Sequence, residues 1–329
     1  MMRRMLLPFT SLYAAAIAAK NGAYDRGFAK AQALNWPVIS VGNVSVGGSG
    51  KTPFVICMAK LLKKQGVHVD VLSRGYGRSS DAVERVDPAG NADRFGDEPL
   101  LIAQSANVPV YVGASRYAAG VLAEREQVGR GIHLLDDGFQ HRKLGRALDL
   151  VVIHRTDVEE TLLPAGRLRE PLSSLQRATV LVLREEDANV ELELRRRGIE
   201  KPIWGIRRSM VVPENLGSVV AFCGIARPDE FFQSLQMAEV NVVAQNPFRD
   251  HHRYGESDVR ELLSMAQSKD ATAFLTTEKD FVRLSPSQRE MLASGASLKV
   301  AKLETVLRDE ADVLRHLETL LPVSVARSL

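Results

Sequence analysis

From residue 37 onward, short apolar runs alternate with longer stretches in which apolar positions recur at helical spacing. The apolar runs are rich in Val, Ile and Leu, and in the first part of the chain they lie at 37–42, 67–72, 108–112, 132–135, 148–153 and 179–183. Strands that take turns with helix-length segments are typical of βαβ units. The pattern therefore predicts an α/β fold with a mainly parallel sheet flanked by helices. Such sheets bind ligands at the carboxyl ends of their strands.

A second α/β series follows a charged, helix-like stretch at 191–198 and a short run at 202–207. Its candidate strands and helices lie at 218–223, 229–237, 240–244, 257–267, 272–275 and 298–303. Because the series starts afresh, we place a domain boundary near residue 210. The prediction is a larger domain over 37–210 and a second, smaller α/β domain over 211–329.

The N-terminal segment is apolar but short. An uncharged stretch of 15 residues separates Arg4 from Lys20, whereas about 20 predominantly apolar residues are needed to span a bilayer. Large apolar side chains recur there at helical spacing, at positions Phe9, Tyr13, Ile17, Tyr24 and Phe28.

Three interpretations of this segment are open: a helix in a membrane interface, an ordinary packed helix, and a signal peptide. The apolar stripe continues past any plausible cleavage point, which disfavours the signal peptide. We favour the first interpretation and predict that residues 1–36 form a basic amphipathic membrane-interface segment.

Composition and charge exclude several classes of protein. The 329 residues are 45% apolar and 25% charged, which is the globular norm and leaves room for two domains. Cys57 and Cys223 lie 166 positions apart without a Cys or His cluster, so neither a disulfide framework nor a structural zinc site is expected.

The net charge of +3 is unevenly distributed, because residues 1–36 alone carry +4. A broad nucleic-acid-binding face would need basic residues across a whole domain. We therefore expect no nucleic-acid partner and a local anionic one near the N-terminus.

A glycine-rich run follows the first candidate strand and precedes a helix-like segment. The sequence PVISVGNVSVGGSGKT at 37–52 ends like the P-loop motif G-x-x-x-x-G-K-[ST], although Ser45 stands where the motif has glycine. Its glycines let backbone N–H groups face phosphate oxygens at a helix N-terminus. Lys51 is expected to reach the β- and γ-phosphates, and Thr52 to offer its hydroxyl to Mg²⁺. The candidate nucleotide-binding positions are Ser45, Val46, Gly47, Gly48, Ser49, Gly50, Lys51 and Thr52.

Two aspartates end the apolar strand IHLLDD at 132–137. P-loop folds place a carboxylate at such a strand end, where it holds Mg²⁺ or its water shell. The pattern does not separate Asp136 from Asp137. Gln140 and His141 follow directly and either line the same cleft or cap the turn.

Other polar groups carry weaker signals. Asp97 and Glu98 could supply a base to a hydroxyl group, or merely begin a helix with acidic residues. His251 lies in a run of one carboxylate and two imidazoles that suits base orientation or substrate contact better than zinc. Glu170 lies in a loop rich in Pro, Gly and Arg, which by composition is a surface loop.

Taken in order, these motifs cover nearly the whole chain. They are VGNVSVGGSGKTP at 41–53, SRGYG at 73–77, GDEP at 96–99, DDGFQH at 136–141, LPAGRLREP at 163–171, FCGIA at 222–226, FRDHH at 248–252 and LTTEKD at 275–280. The ensemble resembles the tetraacyldisaccharide 4′-kinase, or lipid A 4′-kinase, family. In that family the loop usually carries a small hydroxyl residue where this chain has Ser45.

The resemblance implies a P-loop NTPase-like fold and an activity. The family transfers the γ-phosphoryl group of ATP, with Mg²⁺, to the 4′-hydroxyl of a lipid A disaccharide 1-phosphate at the cytoplasmic face of the inner membrane. This would explain the basic amphipathic N-terminus, because a lipid substrate must be met at the interface. The resemblance implies no obligate protein partner.

The resemblance also implies roles for individual residues. Lys51 and Thr52 would bind the triphosphate and Mg²⁺, with Asp137 and Glu170 as metal contacts. Asp97 would be the base toward the sugar hydroxyl. His251 would pair with Asp97 across a cleft that the smaller domain closes. The expected secondary contributors are Arg116, Gln140 and His141.

The alternative from another class is a membrane-associated P-loop ATPase that acts as a switch or positioning module. Deviant-loop ATPases of that kind carry a lysine where this chain has Val46.

Overall fold

Twelve strands in the described part of the chain form one sheet, in the order β10-β9-β11-β12-β8-β7-β6-β1-β5-β2-β4-β3. The structure is a computed structural model that describes residues 6–127 and 129–321. The strands are β1 Val38–Gly42, β2 His68–Ser73, β3 Glu84–Arg85, β4 Val110–Val112, β5 Gly131–Asp136, β6 Leu148–Val152, β7 Val180–Arg184, β8 Ile203–Val211, β9 Val219–Cys223, β10 Val242–Pro247, β11 Ala273–Thr277 and β12 Ser297–Leu307. Neighbours pair in parallel except at β3–β4 and β8–β12. The predicted α/β class with a mainly parallel sheet is confirmed.

Eleven α-helices in the described residues accompany the sheet. They are α1 Leu7–Asp25, α2 Lys51–Lys64, α3 Ala92–Phe95, α4 Asp97–Ala106, α5 Arg116–Glu126, α6 Ala188–Arg196, α7 Pro228–Met237, α8 Glu256–Ser268, α9 Glu278–Arg283, α10 Pro286–Gly295 and α11 Glu310–Leu320. Helix α2 shows how they attach. Phe54, Met58 and Leu62 follow one another at a spacing of four residues and are fully buried, so one face of the helix packs into the core.

The structure connects the two predicted domains at residue 210, where a boundary was expected. Residue 210 lies inside β8, and β8 pairs with β12 from the end of the chain. Val313 and Leu317 of α11 belong to the core that contains α2 and β1. The end of the chain therefore returns to the first part, which differs from the assignment of 211–329 to the second domain. The division into two domains stays a prediction.

The connecting strands β8 and β12 are longer than the runs predicted at 202–207 and 298–303. The residues added at their carboxyl ends, 208–211 and 304–307, mix polar and apolar side chains, and every second one is exposed. An apolar run does not mark a strand that is buried on one face only.

Helix α1 packs one face against the body of the protein. Tyr13, Ile17 and Tyr24 are half-buried on this face. Phe9 is instead 59% exposed, and Phe28 lies beyond the end of the helix with 84% exposure. The predicted stripe therefore ends within the helix at Tyr24, and its exposure changes along the helix. The basic residues Arg3 and Arg4, like the stretch 322–329, lie outside the described residues.

None of the helices in the described part of the chain combines the length and hydropathy that a membrane crossing requires.

Candidate active site

A cleft of about 770 Å³ opens at the carboxyl ends of β1, β2 and β5. One wall comes from the loop before α2 and from the residues that follow β2 and β5. The other wall comes from the second α/β series and includes Arg227, His251 and Lys279. Groups that are far apart in the sequence thus face one another across a single space.

The loop before α2 delivers backbone N–H groups to this cleft. Gly47 and Gly50 have φ angles of 94° and 91°, a region that favours glycine, and Gly50 is the N-cap of α2. The first N–H groups of a helix have no acceptor within the helix, and the helix dipole adds positive potential there. The loop is therefore suited to bind an anion such as a phosphate.

Two loop amides are already engaged within the protein. The Val46 N–H donates to the Arg167 carbonyl at 2.8 Å, and the Ser49 N–H to the Gly47 carbonyl at 2.9 Å. Ser45 does not line the cleft. Its carbonyl oxygen accepts a hydrogen bond from the Asn43 side chain at 2.7 Å, and this bond stabilises the turn. The remaining loop positions predicted to bind phosphate all line the cleft.

Lys51 lies between two oxygen groups. Its Nζ donates to Asn43 Oδ1 at 3.1 Å and forms an ion pair with Asp137 Oδ1 at 3.4 Å. Asp137 also pairs with Arg169 at 2.8 Å. Burial opposes the charged form of Asp137, but Lys51 and Arg169 outweigh it and hold its pKa below the usual range.

Asp136 differs sharply from its neighbour. It is buried, Ser73 donates to its Oδ2 at 3.0 Å, and its Oδ1 has no hydrogen-bond partner among the described residues. Burial and the charges of Glu98 and Asp137 raise the pKa of Asp136 to about 7. An unpaired buried carboxylate oxygen is costly unless a cation or proton satisfies it.

The groups beside Asp136 fit a magnesium ion that a triphosphate helps to hold. Thr52 Oγ1 lies 3.2 Å from Glu98 Oε1. The possible metal ligands of Asp136, Thr52 and Glu98 are all oxygen atoms, which Mg²⁺ prefers. The described residues contain no ready cluster of three or more His, Cys, Asp or Glu side chains for a metal. Phosphate oxygens and water would therefore have to complete the shell, as is usual for Mg²⁺.

Asp97 and His251 meet across the cleft, as their predicted pairing requires. His251 Nδ1 lies 3.0 Å from Asp97 Oδ2. The same oxygen accepts from Arg283 Nε at 2.8 Å. Burial alone would raise the pKa of Asp97, but the hydrogen bond with His251 and the charges of Arg283 and Lys279 hold it well below the usual range.

Asp97 and His251 differ in their access to the cleft, and the role of Asp97 as the base stays a prediction. A buried carboxylate that already binds a guanidinium and an imidazole is a weak base, and Asp97 does not line the cleft. His251 does line it, with 38% of its side chain exposed. The hydrogen bond with Asp97 raises the pKa of His251 against the effect of its burial. His251 therefore presents its imidazole to the cleft, while Asp97 holds its Nδ1.

Glu170 lies elsewhere. It is buried and does not line the cleft. Its Oε2 pairs with Arg177 at 2.8 Å and accepts from Asn21 of α1 at 2.9 Å. This position corrects the surface loop expected from composition. The metal contact that the resemblance implied for Glu170 stays a prediction.

The three expected secondary contributors all line the cleft. Gln140 Nε2 donates to the Asn43 carbonyl at 2.9 Å, which ties the segment after β5 to the phosphate loop. Arg116 Nη1 donates to the Ala114 carbonyl at 2.9 Å. Burial and the charge of Arg116 lower the pKa of His141 to about 4, so this imidazole is neutral at physiological pH.

Sequence reasoning missed several participants. Lys279 donates to Glu98 Oε1 at 2.6 Å, and Arg283 donates to Asp97. Arg208 lines the cleft from β8. For the run that contains Lys279, the sequence left open whether it belongs to a site or is simply a polar loop. Nothing in the sequence singles out Arg208 or Arg283, because each lies in an ordinary charged stretch.

Comparisons with known proteins agree with one another. The sequence model of the family described as tetraacyldisaccharide-1-P 4′-kinase matches residues 2–322. The chain is 42% identical to the tetraacyldisaccharide 4′-kinase of Koribacter versatilis over 313 residues, which are 92% of this chain and 94% of the relative. It is 38% identical to the Aquifex aeolicus protein of the same name, over 86% and 90% of the two chains.

A solved structure is similar over the same extent. The crystal structure of LpxK from Aquifex aeolicus in complex with ATP superposes with a TM-score of 0.78 at 32% identity. The match covers 98% of this chain and 100% of that one.

The backbone of the loop generates a prediction. Gly47→Ala should lower the free energy of unfolding by about 1–3 kcal/mol, because a Cβ is strained at this positive φ. Gly48→Ala is the matched control: its Cβ would lie 3.5 Å from Ala226 Cβ, an ordinary contact, and the change should stay within about 0.5 kcal/mol. Urea unfolding of both variants measures their free energies of unfolding. Equal losses in the two variants would contradict the positive φ of Gly47.

Proposed function

The chain belongs to the tetraacyldisaccharide 4′-kinase family, and we propose that it transfers the γ-phosphoryl group of ATP to the 4′-hydroxyl of a tetraacyldisaccharide 1-phosphate, a lipid A precursor. The resemblance indicated by the sequence motifs is confirmed. One observation carries the proposal: the glycine-rich loop and His251, which Asp97 holds, line the same cleft. Family membership favours the kinase over the switch or positioning ATPase.

ATP binds with its phosphate chain on the loop at the start of α2. The N–H groups of the first helical turn and the Lys51 ammonium contact the β- and γ-phosphates. Phosphoryl transfer depends on position and on charge neutralisation more than on covalent chemistry. On binding, the phosphates would compete with Asp137 for Lys51, since this ion pair is 3.4 Å long and partly exposed.

Mg²⁺ would be held by the phosphates, by the Thr52 hydroxyl and by the cluster of carboxylates that includes Asp136. When bound, the ion neutralises charge on the β- and γ-phosphate oxygens. Glu98 accepts from both Thr52 and Lys279 and thereby orients the Thr52 hydroxyl.

His251 takes the proton of the sugar hydroxyl at Nε2, since Nδ1 is engaged with Asp97. Asp97 fixes the tautomer and stabilises the imidazolium that forms. Arg283 anchors Asp97 from α9, so the pair keeps its geometry. The wall formed by the second α/β series excludes water that would otherwise hydrolyse ATP.

Helix α1 brings the cleft to the membrane surface, at the cytoplasmic face of the inner membrane. Its exposed face presents apolar side chains at helical spacing, namely Phe9, Leu12, Ala16 and Ala19. Its other face contacts residues of the cleft: Lys20 donates to the Gln140 carbonyl at 3.0 Å and Tyr13 to the Arg169 carbonyl at 2.9 Å. A lipid whose acyl chains remain in the bilayer can then present its headgroup to the cleft.

The membrane role predicts the effect of a single charge. Leu12→Glu should weaken sedimentation with anionic phospholipid vesicles by roughly tenfold, because burying one leucine contributes about 1.5–3 kcal/mol. Met237→Glu is the matched control, since Met237 is 86% exposed on α7 and Leu12 is 72% exposed on α1. Unchanged vesicle binding by Leu12→Glu would remove the support for this interface.

The activity is tested by following labelled phosphate. Incubation of the full chain with Mg-ATP labelled at the γ-phosphate and the disaccharide monophosphate, in detergent micelles, should give labelled bisphosphate lipid. Lys51→Ala should lower kcat/KM by about a hundredfold or more, because a charge that stabilises the transition state is lost. Lys60→Ala on the exposed side of the same helix should not change it. Label released only as free phosphate would refute the kinase.

The Asp97–His251 pair predicts a pH dependence. His251 must be neutral to accept a proton, so kcat/KM should rise with pH through its raised pKa. Asp97→Asn removes the group that raises this pKa, and the acidic limb should move to lower pH while kcat falls. His252→Gln is the control, because His252 pairs with Asp258 at 2.8 Å outside the cleft. An acidic limb that stays in place in Asp97→Asn would exclude His251 as the base.

A further inference from the structure

Strand β8 points one arginine out and one arginine in. Consecutive side chains of a strand lie on opposite faces. Arg207 is exposed and pairs with Glu185 at 3.0 Å. Arg208 lies on the other face and lines the cleft. The strand that connects the two parts of the molecule thus delivers a guanidinium to the active site.

The guanidinium of Arg208 lies against the phosphate loop. Its Nη1 would be 3.1 Å from a Cβ placed on Gly50, the residue that caps α2. Its Nε and Nη1 are shielded from solvent and have no hydrogen-bond partner within the described residues. Unsatisfied buried donors of a charged group are costly, so an acceptor that occupies the cleft would stabilise them.

The charges around Arg208 leave it without a carboxylate. Arg184 pairs with Glu230 at 3.2 Å and also approaches Glu186, and Arg227 pairs with Glu230 at 3.2 Å. Three guanidinium groups therefore share two carboxylates. Burial, together with the charge of Arg184, lowers the pKa of Arg208 to about 10, against the opposing charge of Glu230. A polyanion beside the loop would relieve this excess of positive charge.

Lys51 alone does not neutralise a phosphate chain, because Asp137 already pairs with it. We propose that Arg208 is a phosphate-binding residue that contacts the phosphate chain of the nucleoside triphosphate and favours it over the monophosphate. The inference rests on the proposed function, since it concerns how the same cleft selects its nucleotide. A guanidinium suits this role because its donors form a rigid fork that matches phosphate oxygens.

The test is equilibrium binding of ATP, ADP and AMP to the full chain by isothermal titration calorimetry, without lipid. Arg208→Gln should raise the Kd for ATP by about tenfold or more, as expected for the loss of a hydrogen bond to a charged group. The Kd for AMP should change by less than about twofold. Arg208→Lys keeps the charge without the fork and should give an intermediate loss, which also covers the case that Arg208→Gln does not fold. Arg207→Gln is the matched control and should bind all three nucleotides as the wild type does.

Three results would overturn the role of Arg208. They are an unchanged Kd for ATP in Arg208→Gln, an equal loss for ATP, ADP and AMP, and an equal loss in Arg207→Gln. Lys51→Ala separates this proposal from the function itself. If the wild type binds ATP and Lys51→Ala does not, the function stands whatever Arg208 does. If the wild type fails to bind ATP, the proposed function falls.

Discussion

The register between β1 and its neighbour β5 is the constraint on which the site depends. Val41 pairs with Asp136, so the phosphate loop leaves the sheet at the level where the strand with the two aspartates ends. Parallel strands bring their carboxyl ends to one edge, and the helix after β1 begins there with its N–H groups free. A helix dipole, a lysine, the buried carboxylate of Asp136 and the half-buried carboxylate of Asp137 are thereby placed within a few ångströms. Lys51 and Arg169 hold the pKa of Asp137 down, whereas burial, with the charges of Glu98 and Asp137, raises that of Asp136.

The second α/β series completes this site mainly with charge. Lys279 and Arg283 compensate the acidic start of α4, where Glu98 and Asp97 would otherwise be buried without counterions. These ion pairs hold the two walls of the cleft together, because the loss of the cation beside a buried carboxylate strongly destabilises the protein. His251 is held in the same network and reaches the cleft. The same few contacts therefore position His251 and join the two parts of the molecule.

Two of the carboxylates that the resemblance singles out share an environment that the sequence does not show. The resemblance implied that Asp97, paired with His251, is the base and that Glu170 is a metal contact. In the structure, Arg283 binds Asp97 and Arg177 binds Glu170, and neither carboxylate lines the cleft. A carboxylate's function is set by its counterion and its access to the ligand, and neither property is written in the residues beside it.

The sequence alone was enough for the α/β class, the phosphate loop and the identity of the family, because each rests on local patterns. Apolar runs mark buried strands, and the Gly-Lys-Thr ending of the loop fits a helix N-terminus. It did not reveal that the end of the chain returns to the first core, or that Arg208 and Arg283 belong to the site. The bounds of β8 and β12 escaped it too, since half of their side chains are polar. These features depend on contacts between residues that are far apart in the sequence, such as Lys64 and Glu310 at 246 positions, and only the folded chain decides which charges meet.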